Sequence, residues 1–257
     1  MRNFLVGTIA LAAVLFSPCF ADEPPLPANA AMDQVLDALD QRGKTIQSFY
    51  ADLSDTTGDP ALGNEQTRTG MIWFQHRGEG NDRIRVLFDK LIIGRVSQAQ
   101  KHEYLLQGPW LIDRNYDQKV EVKRQVLKPG EKINLLKLGE GPFPLPIGQN
   151  KEKVKQLFDV TMPDPAKDDP TNTIHVSLVP KQGTELANKF TSIDVWVDRT
   201  LLMPVVIETL DAAGSAQHRT ELKNLRLNPP GGLSDKDFSL PPIDDKNWNL
   251  QTDSYGS

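Results

Sequence analysis

Residues 192–227, SIDVWVDRTLLMPVVIETLDAAGSAQHRTELKNLRL, set the strongest limit on what this chain can become. Ile193, Val195 and Val197 alternate with Asp194, Trp196 and Asp198, and a period of two places each set on its own face of a strand. The chain turns over at Asp198-Arg199-Thr200, runs apolar from Leu201 to Leu210, and breaks again at Asp211-Ala212-Ala213-Gly214. Alternation resumes from Thr220 to Leu227. Three strands laid back and forth, apolar on one side and polar on the other, describe an antiparallel sheet that must cover its apolar face. No catalytic motif is attached to it.

The same pattern recurs upstream. Strands are expected at 46–54, 68–76, 83–89, 91–97, 103–113 and 118–127, and again at 159–162, 173–180, 189–198, 203–210 and 217–227. Turns rich in Gly, Asp, Asn or Pro lie between them, as in Thr57-Gly58-Asp59-Pro60. Strands at this spacing without intervening helices predict an antiparallel meander curled into a barrel or sandwich. A helix precedes them, because Met32, Val35, Leu36 and Leu39 fall at helical spacing, with Asn29 as a cap and Gly43 just past the end. A second short helix is expected at Lys151 to Phe158. The segment 22–30, DEPPLPANA, reads as a mobile Pro-rich linker, and the tail from 242 to 257 is polar and expected to fray.

The N-terminus is an export signal. Arg2 precedes an apolar run from Phe4 to Phe16 and then Ser17-Pro18-Cys19-Phe20-Ala21. That run is shorter than the ~20 residues a membrane span needs, and Ala21 is a small residue at the cut site. Cleavage after Ala21 removes Cys19, the single cysteine, and excludes both disulfides and thiol chemistry from the exported chain. A lipoprotein signal ending at Cys19 is the rival, and it asks for a small residue where Pro18 stands.

Composition narrows the partners. The chain of 257 residues carries 29 Lys and Arg against 34 Asp and Glu, a net charge of −5. That mildly acidic balance disfavours nucleic acid and anionic membrane surfaces. The four histidines, His76, His102, His175 and His218, form no HExxH and no close pair, so no metal is expected; each reads as an exposed strand or turn residue. No GxSxG elbow occurs. The loop at Asp164, Asp168 and Asp169 lacks the glycine and closing glutamate of an EF-hand. An active site built on paired carboxylates would bring sugar platforms, and the chain is only 7% aromatic.

The order of the segments carries a resemblance. An amphipathic helix is followed by IQSFYADL, GMIWFQHR, RIRVLF and GPWLIDRNYDQKVEV. A Leu- and Pro-rich middle segment then precedes HVSLVPKQG, FTSIDVWVDRTLLMPVVIETLDAAG and LSDKDFSLP. From about Met32 to Pro241 the chain resembles the LolA-like periplasmic carriers and the wider outer-membrane lipoprotein-sorting family. The resemblance implies a mainly β (α+β) fold: a strongly curved antiparallel sheet forming an unclosed barrel, one domain over 31–241, with helices and loops as a lid. It implies a periplasmic carrier that takes acylated lipoproteins or related lipid from an inner-membrane release complex to an outer-membrane receptor, without cofactor or covalent step, as a monomer. Two alternatives remain: an envelope sensor or adaptor of the same fold that binds a protein partner, and a secreted hydrolase.

Site residues follow from pattern and resemblance together. An apolar concave face, free of paired ionisable groups, is expected from Trp73, Ile84, Val86, Phe88, Trp110, Phe190, Val195 and Val197, or their strand neighbours; a slip of one residue flips a strand's set. Leu135, Leu136, Leu138, Phe143, Leu145 and Ile147 are too apolar for a plain loop and too rich in Gly and Pro for a strand, which suits a lid. The family holds its lid with a basic residue after the Trp strand. Arg77 is the nearest match, with Arg83 and Arg85 as competitors and Arg85 matching the next strand's basic position.

Export is testable directly. The periplasmic form is expected to begin at Asp22, by N-terminal sequencing and intact mass. A chain beginning at an acylated Cys19 would overturn this.

Overall fold

The computed structural model describes residues 24–78, 81–128, 131 and 150–254. Helix α1 (Met32–Thr45) leads into β1 (Ser48–Gly58), β2 (Gln66–Gln75), β3 (Arg83–Ile93), β4 (Val96–Gln107), β5 (Trp110–Asn115) and β6 (Val120–Gln125). Helix α2 (Lys151–Leu157) follows. Then come β7 (Phe158–Thr161), β8 (Thr173–Pro180), β9 (Phe190–Asp198), β10 (Met203–Asp211), β11 (Gln217–Leu227) and β12 (Asn249–Asp253).

Among the described residues these strands make one curved, unclosed sheet in the order β12-β6-β5-β4-β3-β2-β1-β11-β10-β9-β8-β7. Two meanders, β1–β6 and β7–β11, are joined where β1 pairs β11. All pairings are antiparallel except β12 on β6. The second meander lies within a residue or two of its sequence expectation. In the first, the turns sit elsewhere than expected: β3 runs unbroken to Ile93 and reverses at Gly94, and the chain reverses again at Gly108-Pro109. Gly94 and Gly108 have φ of 58° and 57°, a left-handed backbone that glycine adopts without steric cost.

Alternation selects the inner face. Phe49, Ala51 and Leu53 of β1 lie opposite Phe74, Ile72 and Gly70 of β2, which oppose Ile84, Val86 and Phe88 of β3. From the other meander come Ile174, Val176 and Leu178, Ile193, Val195 and Val197, and Ile207. The apolar side chains among these join one buried cluster, with Val35, Leu36 and Leu39 of α1 packed into it. At ~1.5–3 kcal/mol per buried aliphatic or aromatic side chain, this contact dominates the fold's stability.

Four terminal expectations change. Ala31, not Asn29, stands at the N-cap of α1, and the Gln34 side chain satisfies its backbone by accepting from Ala31 N at 2.8 Å. The helix continues through Gly43 to Thr45. The described part of the linker is docked: Leu26 is buried, its N donates to Arg199 O at 2.8 Å, and Arg199 Nε donates back to Leu26 O at 2.9 Å. The described part of the tail beyond Leu240 is also held, as β12 on β6, because its backbone groups find an open sheet edge.

Gly70 is the tightest point of the first meander. A Cβ there would run into the backbone of Leu87 and Phe88, where β3 carries a bulge. Gly70→Ala is therefore expected to cost about 1–3 kcal/mol in urea unfolding. A midpoint equal to wild type would show that β2 and β3 separate freely at the bulge.

Candidate functional site: the inner face of the open sheet

Of the expected lining residues, Ile84, Val86, Phe88, Val195 and Val197 all lie on the inner face, at 3% exposure or less. Phe190 is partly buried and packs against the same cluster. Trp73 and Trp110 do not belong to it. Their strands are in the opposite phase: Ile72 and Phe74 point inward around Trp73, and Leu111 packs on the core beside Trp110. Both indoles lie on the outer face under cations, Arg85 over Trp73 at 4.8 Å and Lys123 Nζ over Trp110 at 4.5 Å. Tryptophan tolerates this half-exposed setting because the ring stays covered while its edge meets water.

The expected latch is not on the inner face either. Arg77 is exposed. Arg85 pairs with Glu103 at 2.5 Å and donates to Asp237 O at 3.1 Å. Arg83 is buried, pairs with Asp235 at 2.8 Å and stacks over Phe238 at 4.0 Å. These arginines hold the C-terminal segment against the outer face. Arg114 does the same farther along, donating to Pro241 O at 2.6 Å, while Tyr116 bonds Glu103 and meets Trp248 edge-on. Leu135, Leu136, Leu138, Phe143, Leu145 and Ile147 lie outside the described residues.

One expectation for the inner face is overturned: paired ionisable groups occupy one end of it. The inward positions of β1 run Phe49, Ala51, Leu53 and then Asp55, which is buried. His218 Nε2 lies 2.5 Å from its carboxylate, Arg68 NH2 3.2 Å, and the Thr220 hydroxyl 3.3 Å. Arg68 also covers the Phe88 ring at 4.8 Å. Beside it, His102 stacks on Tyr104 with ring centres 4.6 Å apart, and His102 Nε2 lies 2.6 Å from Asp113. The two aspartates belong to separate pairs on either side of Tyr104, each held by its own histidine.

Burial alone would raise the pKa of Asp55, but His218, Arg68 and Thr220 outweigh it and hold the carboxyl below its ordinary range. Burial and the charge of Asp113 push the Tyr104 hydroxyl up, so it stays a neutral donor. The result is an apolar trough whose polar end presents a phenol, a guanidinium and imidazoles. No serine or cysteine nucleophile stands in that cluster, and among the described residues no three His, Cys, Asp or Glu side chains are placed to hold a metal.

None of the four histidines is fully exposed, contrary to expectation, because each finds an aspartate. His76 lies 2.6 Å from Asp82, and His175 lies 2.9 Å from Asp194 and stacks on Trp196. Asp55, Arg68, His102, Tyr104, Asp113 and His218 form no motif along the chain, and sequence reasoning does not single them out as a site. The available signal is phase: Asp55 continues the inward set of β1, and His218 and Thr220 continue that of Leu222.

No protein-family model and no curated protein matches the chain. Solved structures do. MucB in the MucA/MucB complex of Pseudomonas aeruginosa aligns at 13% identity and a TM-score of 0.45, over 81% of this chain and 60% of that one. LprF from Mycobacterium bovis aligns at 14% identity and 0.43, over 81% of this chain and 95% of that one. A LolA superfamily protein from Nitrosomonas europaea aligns at 11% identity and 0.30, over 81% and 97%.

The Asp55 cluster gives the fold an acid weakness. A carboxyl held below its unfolded pKa of about 3.9 contributes stability above that value and loses it as pH falls through the lower folded pKa. Asp55→Asn is expected to lower the urea midpoint at pH 7, and the gap from wild type should shrink towards pH 3. A gap that is constant with pH would show that Asp55 acts by shape alone.

Proposed function

We propose that the protein binds acyl chains of lipoproteins or related lipids on the inner face of its open sheet and carries them through the periplasm towards the outer membrane. The observation that supports this best is the pairing of a continuous apolar trough with a polar cluster at one end. That is the chemistry of an acylated ligand, whose hydrocarbon gains ~0.8 kcal/mol per sheltered CH₂ and whose ester or amide needs hydrogen-bond donors. Arg68, Tyr104 and His218 can supply those donors without a covalent step.

Helix α1 occupies the trough. An uncovered face of this size would drive aggregation. Helix α2 meets the same core through Val154 and is tied to α1 by two ion pairs, Lys155 with Asp33 at 2.5 Å and Lys151 with Asp37 at 2.9 Å. Such pairs are solvent-screened and easily exchanged, so α1 can loosen on its α2 side while its last turn stays tied to β11 through Asn228 and the sheet stays intact. An acyl chain would then replace Val35, Leu36 and Leu39 against the sheet.

Lipid extraction of the exported protein, followed by mass spectrometry, is expected to release acyl lipid or an acylated peptide. A fluorescent hexadecanoyl probe should bind saturably, and a Lys151→Glu, Lys155→Glu variant should take it up faster with little change in thermal midpoint. Absence of both lipid and probe binding, or a stoichiometric protein partner in place of lipid, would reject the carrier and favour an adaptor.

A further inference from the structure

A second cavity lies apart from the trough, where the sheet splits. Strands β10 and β11 pair from Leu210 with Gln217 only as far as Val206 with Glu221. Beyond that point β11 stays with β1 down to Phe49 with Leu227, while β10 follows β9 to Met203 with Asp198. The diverging ends enclose a cavity of about 980 Å³, within the range of ligand sites. Leu201, Leu225, Leu227 and four prolines supply apolar walls, and Tyr50, Arg226 and Arg42 also line it. Among the described residues no carboxylate does.

Arg42 is the anomaly. Val35, Leu39 and Arg42 share one face of α1, so an apolar side chain is due at that position. Arg42 is instead 8% exposed, its Nε has no hydrogen-bond partner, and it makes no ion pair among the described residues. With Nε unpaired and no carboxylate among the described lining residues, the guanidinium has only the solvent of the cavity to meet its charge. The surrounding frame is firm. Asn228 Oδ1 accepts from Gln47 N at 2.8 Å and Ser48 N at 3.1 Å, and its Nδ2 donates to Thr45 O at 3.1 Å, tying the end of α1 to the end of β11.

The geometry points to a binding site for an anionic amphiphile, with a carboxylate or phosphate head between Arg42 and Arg226 and a short hydrocarbon body against Leu201, Leu225 and the prolines. The guanidinium fork of Arg42 suits either head by paired hydrogen bonds. The cavity is far larger than an inorganic anion, and its walls reward an apolar body. Its leucines back onto the same core as the trough, but its mouth lies where β10 and β11 part, and the site does not rest on the carrier reading.

Octyl phosphate, octanoate, octyl glucoside and inorganic phosphate are titrated into the exported protein, with calorimetry and thermal midpoint as readouts. Octyl phosphate and octanoate are expected to bind and raise the midpoint, and octyl glucoside to do neither. Inorganic phosphate should bind at least about tenfold more weakly than octyl phosphate, since it leaves the apolar walls empty. Equal affinity would overturn the amphiphile. Arg42→Met should weaken octyl phosphate at least about tenfold while leaving the ligand-free midpoint level or raised, because it removes a buried Nε that has no hydrogen-bond partner. Arg226→Met, on the exposed rim, should weaken binding without touching the fold. Wild-type affinity in both variants overturns the site, as does displacement of the hexadecanoyl probe by octyl phosphate, which would merge it with the trough. Octyl phosphate binding in a protein that takes no acyl probe would leave this site standing and reject the carrier.

Discussion

An open sheet with one apolar face must have something laid across it, and the packing of α1 into the curve of the sheet is the contact on which this molecule depends. A closed barrel satisfies its inner face with its own side chains. Here the barrel does not close, so Val35, Leu36 and Leu39 complete a core that the strands begin with Phe49, Phe74, Ile84, Val86, Val195 and Val197. The same contact makes the inner face a candidate binding surface. Among the described residues α1 covers most of it, with Leu26, Ala30 and Val154 of α2 joining the same cluster and two ion pairs linking the helices.

The outer face is covered by a different logic. Its central strands carry cations over aromatic rings and a buried Arg85–Glu103 pair, and the C-terminal segment lies across them through Asp235, Asp237, Phe238 and Pro241. Buried charges of this kind add little net stability, but they are costly to leave half-made, which fixes the segment in one place. The two faces thus differ in how they are covered: apolar packing of α1 inside, a strap of directed hydrogen bonds and ion pairs outside. Arginines that a family resemblance would assign to holding an inner lid therefore serve the opposite side of the sheet.

Period-two alternation makes the strands of the second meander, and the phase of β3 and β9, legible in the amino-acid sequence. Ile84, Val86, Phe88, Val195 and Val197 each have at least one charged or half-buried neighbour along the chain or, at Trp196, an aromatic that stacks on His175, and their own set is the more uniformly apolar. The alternation is less decisive where both sets are large and apolar: Met71, Trp73 and Phe74 do not declare a phase, and neither do Trp110, Leu111 and Ile112. There the partner strand decides, since Ile72 opposite Val86 and Leu111 opposite Leu106 bring the inward sets into line. The polar end of the trough is hidden for a related reason. Asp55, Arg68, Tyr104 and His218 come from four strands, and their proximity is a property of strand order and register.

By itself the sequence determined the local geometry of much of the chain: the strands of the second meander, the amphipathic helix, and that the apolar sides of both must meet. These follow from backbone sterics and the cost of hydrating hydrocarbon, which act over a few residues. Only the tertiary structure decided that β1 joins β11 and not β6, and that β10 and β11 part company beyond Val206. It also decided that Arg42 lands in the gap so formed. Those outcomes depend on how twist and bulges accumulate across a sheet, and on where one helix comes to rest. A chain read residue by residue carries no record of either.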